Sequence, residues 1–534
     1  MDSMRRLLAR SIAIATVGAA AATGVTAPFG ALPGAGAAGL ANVDFDGDGI
    51  GDHAVGAAGE NGGAGGVYTF YGATATTVGR QQYWSQDTAD IQGSGQLDDA
   101  FGAAVAAGDF NNDGFDDLAI GVPGEVVSGK RNAGAVQVIY GSASGLRTAG
   151  NEYWTQDRGD IQTSSGVNEL FGTSLAAGDF NNDGRDDLAI GAPGEQVGRF
   201  PGAGAVHVLH GCSCGLTSTR AQRFTQDTAD VAGAAGRDEN FGFALAVGKF
   251  GGDAIDDLAI GVPGETVGRH PGAGGVVVMR GRAAAGLTGD ASQLWTEVQL
   301  RIDDANGAED YDFFGFSIAA GDLNLDGIDD LAIGAPGEYS GTIAFAGAVF
   351  VAYGDDELLG RPGAQMLTQD SENVPGRGSK YQEFGHTVLV AALGNVDAGA
   401  ADDFLVVGVP YEDVGGNADA GLIHVFDPSP SGVATTGSQM WSLDSDGILG
   451  EPSLGGWFGI TFGATDTDGD GVAELLVGSP GEDVGTILGS GGITRLGEDD
   501  LAPTAAGSIH WTEASDGISG RAAKTDFFGS AFTF

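Results

Sequence analysis

Residues 171–195 read Phe171-Gly-Thr-Ser-Leu-Ala-Ala-Gly-Asp-Phe-Asn-Asn-Asp-Gly-Arg-Asp-Asp-Leu-Ala-Ile-Gly-Ala-Pro-Gly-Glu195. A small-residue segment follows Phe-Gly. A nine-residue acidic loop, Asp179–Asp187, comes next, and then an apolar run that ends in Gly-Ala-Pro. Working outward, the chain continues through a Gly-rich connection to the run Gly204–Gly211 and to a fourth apolar segment around Phe224. The same order recurs along the chain. Phe-Gly stands at Phe101, Phe171, Phe241, Phe314, Phe384, Phe458 and Phe528, 70 to 74 residues apart. Each unit therefore offers four short strand-like segments bounded by turn residues. Four strands per unit, repeated radially, predict an all-β fold, a seven-bladed β-propeller. The first segment is rich in Ala and Gly, as in residues 103–107, so it belongs at the crowded axis.

The ends of the chain fit a closed ring. The first unit has the acidic loop with no Phe-Gly segment before it, and the chain ends on Phe528-Gly-Ser-Ala-Phe-Thr-Phe534. Residues 526–534 should complete the blade that the N-terminal part begins, which removes two exposed sheet edges. The expected organisation is a leader at 1–38 and a propeller over 39–534. Arg5, Arg6 and Arg10 precede an Ala-rich apolar stretch and a small-residue zone near Ala37, the pattern of a secretory signal. That stretch is too weakly apolar for a membrane anchor. A secreted, extracellular protein with no membrane span is expected, and a monomer.

Composition narrows the partners. Glycine contributes 97 of 534 residues without an every-third period, which excludes collagen, and 42% hydrophobic content excludes a disordered chain. The formal charge is −48, from 24 basic and 72 acidic residues. Nucleic acid is excluded as a partner on that ground. Such a chain needs bound cations or must tolerate strong self-repulsion. The two cysteines, Cys212 and Cys214, replace Ser142 and Ser144 of the preceding unit. A bridge in a turn and two free thiols both remain open.

The acidic loops carry the clearest chemistry. Positions 1, 3, 5 and 9 are Asp44, Asp46, Asp48 and Asp52 in the first unit; Asp109, Asn111, Asp113 and Asp117 in the second; and Asp179, Asn181, Asp183 and Asp187 in the third. They are Asp322, Asn324, Asp326 and Asp330 in the fifth, and Asp466, Asp468, Asp470 and Glu474 in the seventh. Position 7 should add a backbone carbonyl from Ile50, Phe115, Arg185, Ile328 and Val472. Position 6 is Gly in all five, as a sharp turn requires. Hard oxygen donors in this number suit Ca²⁺ rather than Mg²⁺, so about five calcium sites are expected. An EF-hand would close at position 12 before a helix; here position 9 closes the loop and an apolar strand follows. In the fourth loop Lys249 and Gly251 replace ligands, and the Lys249 ammonium is expected to stand in for the ion. In the sixth, Asn395, Asp397, Asp402 and Asp403 are out of register.

Phe171-Gly172, the loop Asp179–Asp187 and Gly191-Ala-Pro193, repeated at Gly334-Ala-Pro336, resemble the FG-GAP repeats of the integrin α-subunit propeller family. The resemblance covers nearly the whole chain beyond the leader. It implies a seven-bladed propeller with calcium in loops between the first and second strands. Nothing resembles integrin leg domains, an inserted ligand-binding domain or a membrane span. Some phospholipases carry such a propeller behind a catalytic domain, for which blades over 39–534 leave no room.

Other signals are weaker. Glu60, Glu125, Glu195, Glu265, Glu338, Glu412 and Glu482 recur after each Gly-x-Pro-type motif and read as turn residues that accept backbone amides. Arg158-Gly159-Asp160 reads as a chance tripeptide. Trp84, Trp154, Trp295, Trp441 and Trp511 read as packing between blades rather than as sugar platforms. No catalytic residue stands out: the histidines lack zinc-ligand spacing, and no nucleophile elbow or P-loop exists. The connections between units, on the face away from the acidic loops, are long, and binding usually sits on such loops. The sequence therefore predicts an extracellular binding or adhesion-like module for a protein or glycan ligand. A hydrolase or lyase acting on carbohydrate or lipid-type substrates is the alternative.

Overall fold

The computed structural model describes residues 43–533 apart from 73–79, 162, 303–306, 356, 361–362, 394–401, 470–471, 499–502, 517 and 519–521. The expected leader, residues 1–38, lies outside the described residues. Among the described residues the strands form seven four-stranded antiparallel sheets and one two-stranded ribbon, Gly354–Asp355 with Leu358–Leu359. The first strands of the sheets are Val105–Gly108, Leu175–Gly178, Leu245–Gly248, Ser317–Gly321, Thr387–Ala392, Thr461–Thr465 and Phe528–Phe532. Each touches the next in that order and the last touches the first. The sheets are thus the blades of a seven-bladed propeller with the Phe-Gly segments innermost. Side chains there are small because seven strands converge on one axis, as in Val-Ala-Ala-Gly and Leu-Ala-Ala-Gly.

The third blade shows the common plan. Leu175–Gly178 pairs with Asp187–Ala192, which pairs with Ala205–Cys212, which pairs with the outer strand Gly215–Phe224. In the first blade the chain terminus takes the inner place. Phe528–Phe532 pairs antiparallel with His53–Ala57, aligning Val55 with Phe532 and Gly56 with Ala531.

The repeated motifs meet where blades join. All seven Phe side chains of the Phe-Gly pairs are fully buried, each burial contributing about 1.5–3 kcal/mol. Phe171 packs with Val136, Val138 and Trp154 of the second blade and with Leu188 and Ile190 of the third. Gly172, at φ +89°, turns the chain into the inner strand. The Gly of Gly-Ala-Pro faces the corresponding turn of the next blade: a Cβ on Gly191 would lie 2.2 Å from the Gly242 carbonyl oxygen. Phe-Gly and Gly-Ala-Pro therefore recur together because one blade's second strand receives the next blade's first turn. The same contact closes the ring, where a Cβ on Gly478 would lie 2.3 Å from the Gly529 oxygen.

Trp84, Trp154 and Trp295 are buried, in keeping with packing between blades. Cys212 and Cys214 form a disulfide in the turn between the third and outer strands of the third blade.

Candidate metal centre

Each acidic loop enters the second strand of its blade at the same end, and in every blade but the first, whose inner strand comes from the chain terminus, it does so directly from the inner strand, so all of them lie on one face of the ring. Their order is written in local hydrogen bonds of short polar side chains. Asp44 Oδ1 accepts the Gly47 and Asp48 amides at 2.6 and 3.2 Å, and its Oδ2 accepts Gly49 at 2.9 Å. Asp109 likewise accepts Asp113 and Gly114, Asp179 accepts Asp183 and Gly184, and Asp322 accepts Asp326 and Gly327, all between 2.7 and 3.1 Å. The position-5 carboxylates of Asp48, Asp113 and Asp326 accept the amides of Ile50, Phe115 and Ile328. Position 6 needs glycine for its backbone and not for space: Gly49, Gly114 and Gly327 lie at φ +85° to +87°, and a Cβ on any of them would meet nothing within 4 Å.

Position 9 anchors each loop to its blade. Asp52 accepts Phe45 and Gly72, Asp117 accepts Phe110 and Gly141, and Asp330 accepts Leu323 and Gly354. Burial pushes these three carboxyls up to about 8 despite the amide donors, and neighbouring loop carboxylates add to the rise. A buried carboxylate facing other carboxylates is the arrangement a cation relieves. In the first loop, oxygens of Asp44, Asp46 and Asp48 lie within 4.8 Å of one another. The donor set is all oxygen and fits a hard divalent cation.

What stands behind position 9 separates the loops. In the first, second and fifth blades it is a tyrosine: Tyr71, Tyr140 and Tyr353, each sensing the charge of Asp52, Asp117 and Asp330 respectively. In the third blade His210 lies 3.1 Å from Asp187. In the seventh, Arg495 donates to Glu474 and to Thr467 and lies 3.8 Å from Asp468. Asp466 accepts Gly469 and Glu474 accepts Thr467; Asp470 lies outside the described residues.

The two altered loops read differently in three dimensions. Lys249 Nζ pairs with Asp256, position 8 of the fourth loop, at 3.1 Å rather than with the position-5 or position-9 carboxylate. The cation beside that loop is Arg280, whose Nη2 lies 2.8 Å from where a Gly251 Cβ would be and whose charge acts on Asp257. Glycine at position 3 makes room for a guanidinium. In the sixth blade, Thr387 pairs with Gly408, as Ser317 pairs with Gly334 in the fifth. That register puts Phe404 where Asp330 stands, so the sixth loop has no closing carboxylate. Asn395 and Asp397 lie outside the described residues.

Position 8, unexplained by the sequence reading, staples neighbouring blades. Asp116 Oδ2 accepts the Asp44 amide at 2.7 Å, Asp186 accepts Asp109, Asp256 accepts Asp179, Asp329 accepts Lys249, and Asp403 accepts Asp322, all between 2.6 and 2.9 Å. The only signal in the sequence was a second Asp beside the closing ligand. Asp186→Ala leaves the Asp109 amide without its acceptor, a cost of about 1–3 kcal/mol. The variant is expected to melt a few degrees lower in a thermal scan.

The opposite face extends one reading. Beyond any turn role, most of the recurrent glutamates bridge blades, whereas Glu482 accepts Ser479 and pairs with His510 within its own blade. Glu125, Glu195, Glu265 and Glu412 accept the side-chain amides of Gln86, Gln156, Gln226 and Gln369 from the preceding blade's outer end. Burial raises Glu412 to about 6 and also raises Glu125 and Glu265. Glu195 is the exception: burial opposes ionisation, yet His207 at 2.8 Å and Arg223 hold its carboxyl below the usual range. Two blade junctions carry Glu in place of the Gln. Glu297 meets Asp312 and Glu338, with carboxylate oxygens within 4.8 Å of one another. Glu513 meets Asp526 and Glu60, and Tyr68 donates to Glu513 at 3.0 Å. The Arg158-Gly159-Asp160 segment is engaged locally: Arg158 lies over the Trp154 ring at 4.0 Å, and the Asp160 amide donates to Ser218.

Comparison with known proteins finds the repeat in four stretches of the chain. The family described as FG-GAP repeat matches residues 101–139, 171–209, 314–351 and 458–494. These are the second, third, fifth and seventh blades; the first, fourth and sixth are not matched. Integrin alpha-5 of Xenopus laevis is 32% identical over 251 residues, 46% of this chain and 20% of that protein. Phosphatidylinositol-glycan-specific phospholipase D of Homo sapiens is 28% identical over 428 residues, 74% of this chain and 46% of that protein. The chain thus spans less than half the length of these relatives. Among solved structures, the Dos1 propeller matches at a TM-score of 0.34 and 10% identity, covering 81% of this chain and 78% of that one.

Proposed function

We propose, from the premise that this chain is an FG-GAP repeat protein related to the integrin α propellers, that it is a secreted, calcium-stabilised propeller acting as an extracellular binding module. The observation that carries the reading is the repetition of one loop geometry on one face, each copy ending in a buried carboxylate. Asp44, Asp46, Asp48 and Asp52 would hold one ion with the Ile50 carbonyl, and their counterparts in the second, third, fifth and seventh loops would do the same. Calcium supplies positive charge and no chemistry of its own here; the chain's part is to bring carboxylates together that otherwise repel. The first, second and fifth loops, backed by tyrosine, should bind tightest. Arg495 already places positive charge beside the seventh closing carboxylate, and His210, when protonated, does so beside the third; both should weaken binding there. Arg280 takes the ion's place in the fourth.

The long connections of the opposite face are left for a ligand. No helix among the described residues is long and apolar enough to cross a membrane, and the N-terminal sequence pattern favours export. A hydrolytic or lytic role for Glu297, Asp312 and Glu338 is the weaker reading, because all three are buried, at 8%, 0% and 0% exposure, and a substrate must reach a catalytic carboxylate. Calcium titration of the chelated full chain tests the main proposal. Five ions per chain are expected, three tight and two weaker, with Asp117→Asn removing one tight site. A sixth ion in the fourth loop, or none at all, would contradict it. Recovery of the protein from the culture medium with a new N-terminus near residue 38 tests export.

A further inference from the structure

Seven copies of one blade provide an internal comparison. Whatever a blade needs in order to fold recurs in its siblings, whereas a side chain that serves one ligand need not. One sector of the face opposite the acidic loops departs from its siblings in a consistent way. Three residues before each Phe-Gly pair the backbone is left-handed. Asp98, Asn168, Asp238, Gly455 and Thr525 occupy this place at φ +58° to +67°, but Tyr311 and Tyr381 occupy it at +70° and +68°. A second left-handed place, in the connection between second and third strands, holds Gly63, Asn132, Gly202, Gly272, Asp419 and Gly489, but Phe345 in the fifth blade at φ +53°. Directly after the recurrent glutamate, Asn61, Val126, Gln196, Thr266, Asp413 and Asp483 are answered in the fifth blade by Tyr339.

Bulky rings are disfavoured in the left-handed region, and such strain persists chiefly where function uses it. Tyr311, Phe345 and Tyr381 stand there, as Phe313, Trp457 and Phe527 do one residue before Phe-Gly; Tyr311 packs on Phe313, while Tyr339, Phe345 and Tyr381 lie together. Tyr339 and Phe345 have ring centroids 6.0 Å apart, and Phe345 and Tyr381 5.7 Å apart, with planes tilted by 43° and 30°. Gly337, two residues before Tyr339, is pressed on the Tyr311 backbone, where a Cβ would lie 1.9 Å from the Tyr311 oxygen. The rings are partly exposed. The Ser340 hydroxyl, donating to Asp370 at 2.9 Å, lies in the same connection.

We infer that the row Tyr339–Phe345–Tyr381 is a binding platform for a neutral, β-linked glycan chain. This rests on the reading of the protein as an extracellular binding module. Two considerations favour a glycan over a protein ligand. The rings follow one another at close to the length of one pyranose unit, and an extended β-linked chain offers flat C–H faces at that repeat. Tyrosine pairs an apolar ring with a hydroxyl that sugar hydroxyls can meet. A net charge of −48 disfavours polyuronates and other anionic glycans.

The siblings also supply the test. In the full chain, Tyr339→Thr, Phe345→Gly and Tyr381→Asp together install residues found at the same places in other blades. Binding of cellohexaose, xylohexaose, mannohexaose and chitohexaose is measured by calorimetry with calcium present, alongside melting temperature. At least one hexasaccharide is expected to bind the parent chain. The triple variant is expected to bind it at least tenfold more weakly while melting at the same or a higher temperature. The platform is overturned if none of the four binds the parent chain, if the variant binds as well as the parent, or if the variant melts lower, since the rings would then be packing. A calcium titration on the same sample separates the two readings: ions without glycan binding leave the calcium module standing and remove the platform alone.

Discussion

Chelation with EGTA at pH 8 is expected to lower the melting temperature by about 10 °C. Each ion at a hundredfold excess over its Kd adds about 2.7 kcal/mol, and a chain of this size changes by roughly 1 kcal/mol per °C near its midpoint. The pH dependence should change with the ion. Burial raises the carboxyls of Asp52, Asp117 and Asp330 from an ordinary 3.8 to about 8 in the ion-free fold. The folded chain therefore keeps protons that the unfolded chain releases above about pH 4. Ion-free stability is greatest at or below that pH as far as these groups are concerned. It falls as the pH climbs toward 8, and the loss is complete above 8. Calcium requires the deprotonated ligands, so the loaded protein should gain stability over the same interval. Thermal scans at pH 5, 6.5 and 8.5, with calcium and with EGTA, read both effects. Superimposable curves in the two buffers would remove calcium from the account.

Deleting residues 526–534 is expected to do more damage than any point substitution. The inner strand of the first blade would vanish, leaving His53–Ala57 as a bare edge and the seventh blade without its neighbour. The Ala54 amide would lose the Thr533 hydroxyl at 2.9 Å, and the Ala58 amide that of Ser530 at 3.2 Å. Phe528, edge-on to Tyr68 with centroids 5.2 Å apart, would leave a cavity. Removal of that ring alone, as Phe528→Ala, should cost about 3–5 kcal/mol. The truncated chain is expected to lose its cooperative melting transition and to associate through its open edges, measured by calorimetry and light scattering. An unchanged transition in the truncated chain would refute closure as a source of stability.

Much of this was legible in the sequence because the constraints that matter most are local or strictly repeated. Gly191 and Gly242 recur in step since one backbone passes too close to another for a Cβ. Asp179, Asp183 and Gly184 recur because a turn of nine residues satisfies its own amides. What stayed hidden lies between strands or blades. The distance from Asp186 to Asp109, or from Gln156 to Glu195, is one blade in space and tens of residues in sequence. The blade-bridging role of Glu125, Glu195, Glu265 and Glu412 was missed for this reason: their glutamine partners sit on the preceding blade. His210, Arg280 and Arg495 come from third strands, and nothing in the loop sequences announces them. The sixth loop was legible only as out of register; which residue takes the closing place, Phe404, needed the strand pairing of Thr387 with Gly408.

The belt of position-8 aspartates also bears on how the ring would come apart. It runs unbroken from the first blade to the sixth. The seventh carries Ala473 at the corresponding place, and at its other side no position-8 carboxylate serves: the Gly51 amide donates to the Asp466 carbonyl at 2.8 Å and the Thr465 hydroxyl to the Asp52 carbonyl at 3.3 Å. A chain of clasps gives way where a clasp is missing. Under tension or thermal breathing the seventh blade is the natural first opening, a gate beside the seam where the two halves of the first blade were sewn together.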